Sequence, residues 1–214
     1  MISIASFVWG IGFAFFTYAQ LPETVALHFD MNGKPDRFGS RLEAGWILLM
    51  LPAVALLLNL IFLWASKNEN RQGQKKILLN SSIGMNLLLV LVQFLIVQSM
   101  QTSRFDDARL LVFGVGALLL LLGNLMPKAS PNPYAGVRLP YTLASDRSWY
   151  ATNRLGGYLF ASMGLLLLLL GLLLPKTWIR WLLLSSVLIL LGGVIYLWFY
   201  AKKVYFADPE RRPL

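Results

Sequence analysis

The residues best suited to chemistry in this chain lie in one polar stretch, residues 132–157, which reads NPYAGVRLPYTLASDRSWYATNRLGG and is called the central polar segment below. Its arginines could bind phosphate or carboxylate groups, and its aromatic rings could stack against a partner. The candidate ligand- or partner-binding residues are Asn132, Gly136, Arg138, Pro140, Tyr141, Thr142, Trp149, Thr152 and Arg154. The segment is therefore either a docking site or an interfacial helix over residues 146–155, with Trp149, Thr152 and Arg154 at the membrane surface and its arginines on lipid phosphates. Thr142 and Ser145 are candidate N-caps for a helix in this segment.

A second polar stretch, residues 21–43, is called the N-terminal polar segment and holds the only histidine of the chain. His28, Asp30 and Asp36 could supply nitrogen and oxygen ligands to a divalent metal. The same side chains could instead hydrogen-bond the turns predicted at 32–33 and 35–36. Alternating apolar residues predict a short strand near 25–30 that leads into a turn. We favour the turns, and expect no metal site, no cofactor and no catalytic residue.

Long apolar runs surround both segments. Hydrophobic residues make up 57% of the 214 residues and charged residues only 14%, whereas soluble domains have about 25% charged residues. Six runs are each long enough to cross a bilayer core of about 30 Å as a helix: 2–19, 44–65, 77–100, 110–126, 156–174 and 178–201. The sequence thus predicts an all-α integral membrane protein with six transmembrane helices. Cleavage of the first run as a signal peptide would leave five, but no Lys or Arg precedes it, which favours retention.

The distribution of charge predicts the orientation. Six spans place both termini on one side, and that side carries 12 of the 19 Lys and Arg residues. Cytoplasmic loops are enriched in these residues. The N- and C-termini are therefore expected to be cytoplasmic, with one interfacial cytoplasmic loop at the central polar segment and one polar outer loop at 21–43. This arrangement accounts for the net charge of +9 without direct binding of nucleic acid.

Polar residues are few inside the apolar runs. The third run places Ser82, Asn86 and Gln93 on one helical face, which predicts either interhelical hydrogen bonds or a path for a substrate. No Asp, Glu, Lys or His lies within a run, which argues against an ion-coupled pump. The chain also lacks the P-loop, H-E-x-x-H, G-x-S-x-G and Rossmann glycine patterns, so we expect no enzymatic activity.

The central polar segment resembles the signature loop of the SdpI family of bacterial membrane proteins. The positions that match are Gly136, Val137, Arg138, Pro140, Tyr141, Thr142, Leu143, Trp149, Thr152, Arg154 and Gly157, with Asn132 upstream. The family usually has His immediately before the final Arg, where this chain has Asn153. A role that depends on that imidazole is therefore not expected to transfer.

The N-terminal polar segment is similar to a small domain of unknown function that commonly precedes the SdpI signature. The matching residues are Pro22, His28, Phe29, Asp30, Gly33, Pro35, Asp36, Gly39, Ser40 and Arg41. Together the two resemblances predict an N-terminal two-helix domain, residues 1–65, followed by a four-helix SdpI-like domain, residues 66–214.

The resemblance implies a function and partners. It suggests a multi-pass protein of the bacterial plasma membrane that protects against a secreted peptide toxin and holds a small DNA-binding repressor at the lipid bilayer. The first alternative is a transporter or exporter of a small amphipathic molecule, which would use the polar face of the third run. The second is a metal-dependent enzyme at the outer surface, built on His28, Asp30 and Asp36.

Overall fold

The computed structural model describes residues 2–30, 33–105 and 108–214, with side chains from residue 7 onward. These residues form helices and one small β-hairpin, which lies between the first two helices. The elements are α1 (Ile2–Gln20), β1 (Thr24–Phe29), β2 (Pro35–Ser40), α2 (Arg41–Asn68), α3 (Gln72–Thr102), α4 (Arg109–Leu125) with a 3-10 turn (Met126–Lys128), α5 (Pro140–Leu143), α6 (Asp146–Leu173) and α7 (Lys176–Phe206).

Five of these helices are long and apolar enough to cross a membrane. They are α2, α3, α4 with its 3-10 turn, α6 and α7. The prediction of a mostly helical membrane protein is therefore confirmed. Helix α1 comes from the first predicted run and has 19 residues; its role as a sixth span stays a prediction.

The apolar core has two main parts. One joins α1, α2, α3 and β1 through Ala14, Leu21, Val25, Ala44, Leu48, Val97 and Met100. The other joins α4, α6 and α7 through Val112, Leu119, Met163, Leu167, Ile179 and Leu182. Helix α3 also contacts α4 through Ile77 and Leu125. Because α3 packs on both sides, the domain boundary predicted at residue 65 stays a prediction.

Helices α4 and α6 approach each other backbone to backbone. A Cβ atom on Gly123 would lie 2.5 Å from the amide nitrogen of Ala161, and one on Gly164 would lie 2.6 Å from the carbonyl oxygen of Gly116. These distances are too short for any side chain, so glycine is required at the contact. Small residues allow close packing in membranes, where the hydrophobic effect does not drive helix association. This pair is thus a rigid axis of the fold.

The polar face of α3 forms hydrogen bonds between helices, which confirms the first of its two predicted roles. The Asn59 and Asn86 side-chain amides bond reciprocally, at 2.9 and 2.8 Å. The Ser82 hydroxyl donates to Asn59 Oδ1 at 2.9 Å. Gln93 Nε2 donates to the Gly10 carbonyl at 2.9 Å. The network links α1, α2 and α3, and its four side chains are buried.

The N-terminal polar segment folds as an antiparallel hairpin. The predicted strand is confirmed as β1. The turn predicted at 35–36 is wrong, because Pro35 and Asp36 begin β2, which pairs with β1. The turn predicted at 32–33 includes Asn32, which lies outside the described residues. Ser40 ends β2 and begins α2 with a capping box: its hydroxyl accepts from Glu43 N, and its own amide donates to Glu43 Oε2. The hairpin is thereby fixed to the start of α2.

The interfacial helix predicted near 146–155 is wrong as a separate element. These residues form the first turns of α6, which begins at Asp146 and continues unbroken to Leu173. The Ser145 hydroxyl accepts from Ser148 N at 2.9 Å, which confirms Ser145 as an N-cap. Trp149 and Thr152 are fully buried rather than lying on the membrane surface. They pack against the preceding loop, which covers the face that would otherwise meet lipid headgroups.

The interhelical network gives a stability prediction. Asn86→Leu leaves the buried Asn59 amide without its Asn86 partner, so we expect it to lower the free energy of unfolding by about 1–3 kcal/mol. The double variant Asn59→Leu/Asn86→Leu removes both amides and should recover part of this loss. Denaturant titration of the purified protein measures both values, with Gln98→Leu on the exposed face of α3 as the control. Additive losses in the double variant would contradict the pairing.

Candidate functional site

The central polar segment begins with a turn organised by Asn132. Its Oδ1 accepts from the amides of Tyr134 and Ala135, both at 2.7 Å. Its Nδ2 donates to the carbonyls of Ser130 and Ala135. The side chain is 5% exposed and satisfies backbone groups that have no helix or strand to pair with. Asn132 is thus a structural residue of the loop.

Asn153 ties this loop to α6. Its Oδ1 accepts from Val137 N at 2.8 Å, and its Nδ2 donates to the Trp149 carbonyl at 3.0 Å. Gly136 precedes the bonded amide with φ of 112°, and a Cβ atom there would lie 2.6 Å from Asn153 Oδ1. The close approach therefore requires glycine at 136 and a compact acceptor at 153.

Trp149 and Thr142, with Asn132 and Asn153, are the buried side chains that hold the loop in place; these four are called the buried frame below. Trp149 Nε1 donates to the Ala129 carbonyl at 2.8 Å, which holds the exit of α4 against α6. Thr142 Oγ1 accepts from Leu139 N at 2.9 Å and lies 2.8 Å from the Val137 carbonyl. Thr142 thus supports the start of α5 from inside the helix rather than as its N-cap. Removing a buried Trp costs about 3–5 kcal/mol, so Trp149→Ala tests folding rather than binding.

Tyr141 and Pro140 place α5 against the end of α7. Pro140 is exposed and occupies the first position of α5, where its missing N–H costs nothing. The Tyr141 ring is half-buried and lies 5.7 Å from the Trp198 ring and 5.6 Å from the Tyr205 ring. Edge and tilted contacts of this kind stabilise aromatic clusters. Tyr141 is therefore largely committed to packing.

The C-terminal tail folds back over the start of α6. The Ser145 hydroxyl donates to Asp208 Oδ2 at 2.5 Å, and Arg212 N donates to the Ala144 carbonyl at 2.8 Å. The Tyr205 hydroxyl donates to the Arg212 carbonyl. The Ser145 hydrogen bond holds the pKa of Asp208 below its ordinary value, against the opposing effect of burial. The tail is thus part of the site rather than a free end.

The predicted arginines remain on the surface. Arg138 and Arg154 are exposed, and neither forms a hydrogen bond or ion pair within the described part of the chain. On α6, Arg154 lies on the same exposed face as Arg147 and Tyr150. Thr152 lies on the opposite face, where its hydroxyl is buried without a described hydrogen-bond partner. The candidate residues therefore divide into a buried frame and an exposed basic face.

The N-terminal polar segment lies at the other end of the bundle. His28 Nδ1 and Asp36 Oδ1 are 2.6 Å apart, and Asp30 Oδ1 accepts from Lys34 N at 2.9 Å. Asp30 thus caps the turn, as expected, while His28 and Asp36 pair across the strands. Among the described residues, no three His, Asp or Glu side chains are placed to hold a metal ion. Pro22 precedes β1 in an exposed position, and Pro35 begins β2.

Gly33 fixes the tip of the hairpin. Its φ is 76°, and a Cβ atom there would lie 2.6 Å from the Phe105 carbonyl oxygen. Phe105 N donates to the Gly33 carbonyl at 3.2 Å. The hairpin is therefore attached to the α3–α4 loop through a position that only glycine can occupy without strain.

Sequence reasoning missed several residues of the central site. Asp208 and Arg212 lie far along the chain, so no local pattern connects them to Ser145. Asn153 was noted only as a departure from the family pattern, although it forms the central hydrogen bonds. The glycines at 116, 123, 157 and 164 carried a signal that could have been used, because each pair is spaced by seven residues.

Comparisons with known proteins match the parts of the chain that hold the two polar segments. A model of the SdpI/YfhL protein family matches residues 128–199, which include the whole buried frame but not the C-terminal tail. A model of a domain of unknown function, DUF1648, matches residues 4–62, which include the hairpin. The resemblance to the SdpI family, preceded by this domain, is therefore confirmed over these two segments. No solved structure matches the chain.

Two relatives show how far the similarity extends. The Immunity protein SdpI of Bacillus subtilis is 26% identical over 154 residues, which is 72% of each chain. An uncharacterised protein of Archaeoglobus fulgidus is 66% identical over 38 residues. That alignment spans 18% of this chain and only 19% of the archaeal protein. The first similarity extends over most of the chain, whereas the second is confined to a short stretch.

The frame makes a prediction at Gly136. Gly136→Ala places a methyl group against Asn153 Oδ1 in a backbone conformation that L-residues rarely adopt, so we expect a loss of about 1–3 kcal/mol in the free energy of unfolding. Gly192→Ala is the matched control, because nothing lies within 4 Å of a Cβ atom at that helical position. Thermal unfolding in detergent measures both variants. Equal stability of the two would show that the loop does not depend on this approach.

The tail makes a prediction about pH. A carboxyl group whose pKa is lowered on folding stabilises the fold at pH values above its ordinary pKa. This contribution disappears as the pH falls through the lowered pKa. Protection of the Arg212 amide from hydrogen exchange should therefore persist to a lower pH in the wild-type protein than in Ser145→Ala. Ser185→Ala serves as the control, since its hydroxyl bonds only within α7. Identical pH profiles would contradict the role of the Ser145–Asp208 bond.

Proposed function

We propose that this chain is a non-enzymatic immunity protein, which protects its cell against a membrane-active peptide toxin and signals by holding a small DNA-binding repressor at the membrane. The observation that carries the proposal is its similarity to the B. subtilis Immunity protein SdpI over 72% of both chains. The buried frame adds support, because it gives the exposed arginines a rigid base.

The proposed topology has six spans in the plasma membrane, with α1 as the sixth. The central polar segment, the α2–α3 turn and the C-terminal tail lie at one end of the bundle, since the Arg71 guanidinium donates to the Pro131 carbonyl at 2.7 Å and the tail bonds to Ala144. This end is enriched in Lys and Arg, so it is placed in the cytoplasm. The hairpin is then outside, where it would meet a secreted peptide.

The cytoplasmic end would present Arg138 and Arg154 to an acidic surface of the repressor. Guanidinium groups form charge-assisted, bidentate bonds with carboxylates. Because the loop backbone is held by hydrogen bonds to the side chains of Asn132, Thr142 and Asn153, little conformational entropy is lost when a partner binds. The arginines are therefore better suited to docking a partner than to acting as a mobile lipid anchor.

The structure does not favour the transporter alternative. The polar face that would form a substrate path is occupied by hydrogen bonds among Asn59, Ser82, Asn86 and Gln93. The cavity beside Gln93, next to Pro52, has a volume of only about 10 Å³. A path for an amphipathic solute would require these helices to separate.

Immunity is tested by deleting the gene in the native host. We expect the deletion strain to die in spent medium from stationary cultures of its own strain and of neighbouring species, and the wild-type gene to restore survival. Plating efficiency measures the effect. Equal survival of the deletion and parent strains in every medium would contradict an immunity function.

Docking is tested with Arg138→Ala/Arg154→Ala. Each exposed Arg at a charged interface contributes about 1 kcal/mol, so the double variant should weaken recruitment of a cytoplasmic partner by more than about tenfold. The membrane fraction of co-purifying partner measures recruitment, with Lys202→Ala as the control for loss of an exposed cation on the same end. Recruitment by the double variant at the level of Lys202→Ala would exclude the arginines as the docking face.

A further inference from the structure

A cavity of about 450 Å³ lies at the hairpin end of the bundle, between the end of β1 and the start of α7. Its walls include Phe29 and Asp30 from the hairpin, Phe105 from the α3–α4 loop, and Lys176, Arg180 and Leu184 from α7. Its size lies in the range of about 300–1,000 Å³ that is usual for sites that bind small ligands or ligand segments. It is therefore large enough for several side chains.

The lining of the cavity is amphipathic. Phe29 and Phe105 form one apolar part of the lining, with ring centroids 6.4 Å apart, and Leu183 and Leu184 of α7 add a second apolar part. Asp30, Thr177 and Arg180 place polar groups in the same cavity. Asp30, Lys176 and Arg180 already interact within the chain, so they form a polar lining that is set before any ligand arrives.

The walls come from both family segments. Phe29 and Gly33 belong to the N-terminal domain of unknown function, whereas Lys176 to Leu184 belong to the SdpI segment. The strand β1 ends at this cavity, and within the described chain the hairpin has no third strand. An extended peptide backbone could therefore pair with the hairpin while its side chains enter the cavity.

We propose that this cavity binds an apolar segment of an amphipathic peptide from the outer side of the membrane. The proposal rests on the immunity function and orientation above, and it identifies where the peptide binds. Apolar side chains of the peptide lie between the phenylalanines and the leucines, and its polar backbone groups face Asp30 and Thr177. The hairpin favours a peptide over a lipid, because within the described chain it has no third strand and only a peptide backbone can pair with a strand edge.

A direct test uses cysteine chemistry, since the chain has no native cysteine. Thr177→Cys places one thiol in the cavity of the full-length protein, which is reconstituted in phosphatidylglycerol–phosphatidylethanolamine nanodiscs. The probe is a synthetic leucine-rich peptide with a free carboxyl terminus. We expect saturating peptide to occupy about nine sites in ten. Only the remaining free thiols would react, so labelling by a membrane-impermeant maleimide should slow by about tenfold.

The control is a pair of tryptophan variants on α7 in the Thr177→Cys background. Leu184→Trp fills the cavity and should abolish the slowing. Leu188→Trp adds the same bulk one turn later, at a position that is 69% exposed and outside the lining, and should preserve it. Leu184 is itself 45% exposed, so the larger ring does not overpack the core.

The remaining outcomes overturn the proposal. No slowing by peptide, or equal slowing in the two tryptophan variants, would exclude the cavity as the binding site. Slow labelling without peptide that the peptide leaves unchanged would show that a lipid chain fills the cavity. None of these readouts depends on cell survival. A failure of the peptide-binding proposal can therefore be distinguished from a failure of the immunity proposal, which would appear as equal survival of the deletion and parent strains.

Discussion

The structure depends on the hydrogen bond from Val137 N to Asn153 Oδ1. It joins a loop that has no regular secondary structure to the first turns of α6, and its acceptor is the buried side chain of Asn153, which would be costly to leave unpaired. Gly136 must adopt φ of 112° to reach it, and Trp149 closes the other side by bonding to Ala129. This one contact thereby orders the segment that presents Arg138.

Rigid helices connect the ordered loop to the opposite end of the helix bundle. Helices α4 and α6 touch through glycine, so they cannot slide without a clash. Helix α7 carries Leu184 in the hairpin-end cavity and Trp198 against Tyr141, three or more turns later. The same helix therefore lines the hairpin-end cavity and packs against the central polar segment. The α7 residues between these two contacts are mostly apolar and many are exposed, and the charged residues of α7 lie towards its two ends.

The sequence was sufficient for features that depend on local patterns. Long apolar runs predicted the helices, the Ser82–Asn86–Gln93 spacing predicted interhelical bonds, and Ser145 predicted the start of a helix. It was insufficient where distant residues meet. The amphipathic pattern of 146–155 resembled a surface helix because nothing local shows that the preceding loop covers Trp149. Likewise, Ser145 and Asp208 are 63 residues apart, and β2 formed despite its Pro and Gly because it pairs with β1.

The proposed docking face for a cytoplasmic protein depends on the buried frame. The most direct measurement places a photo-crosslinking residue at Tyr150, which is 48% exposed and on the same face of α6 as Arg154. Intact native cells are irradiated, and the attached molecule is identified by mass spectrometry. The account predicts a small soluble DNA-binding protein, attached at Tyr150 and lost when Arg154 is replaced by alanine. Attachment to lipid alone, or to a second copy of the chain, would contradict it.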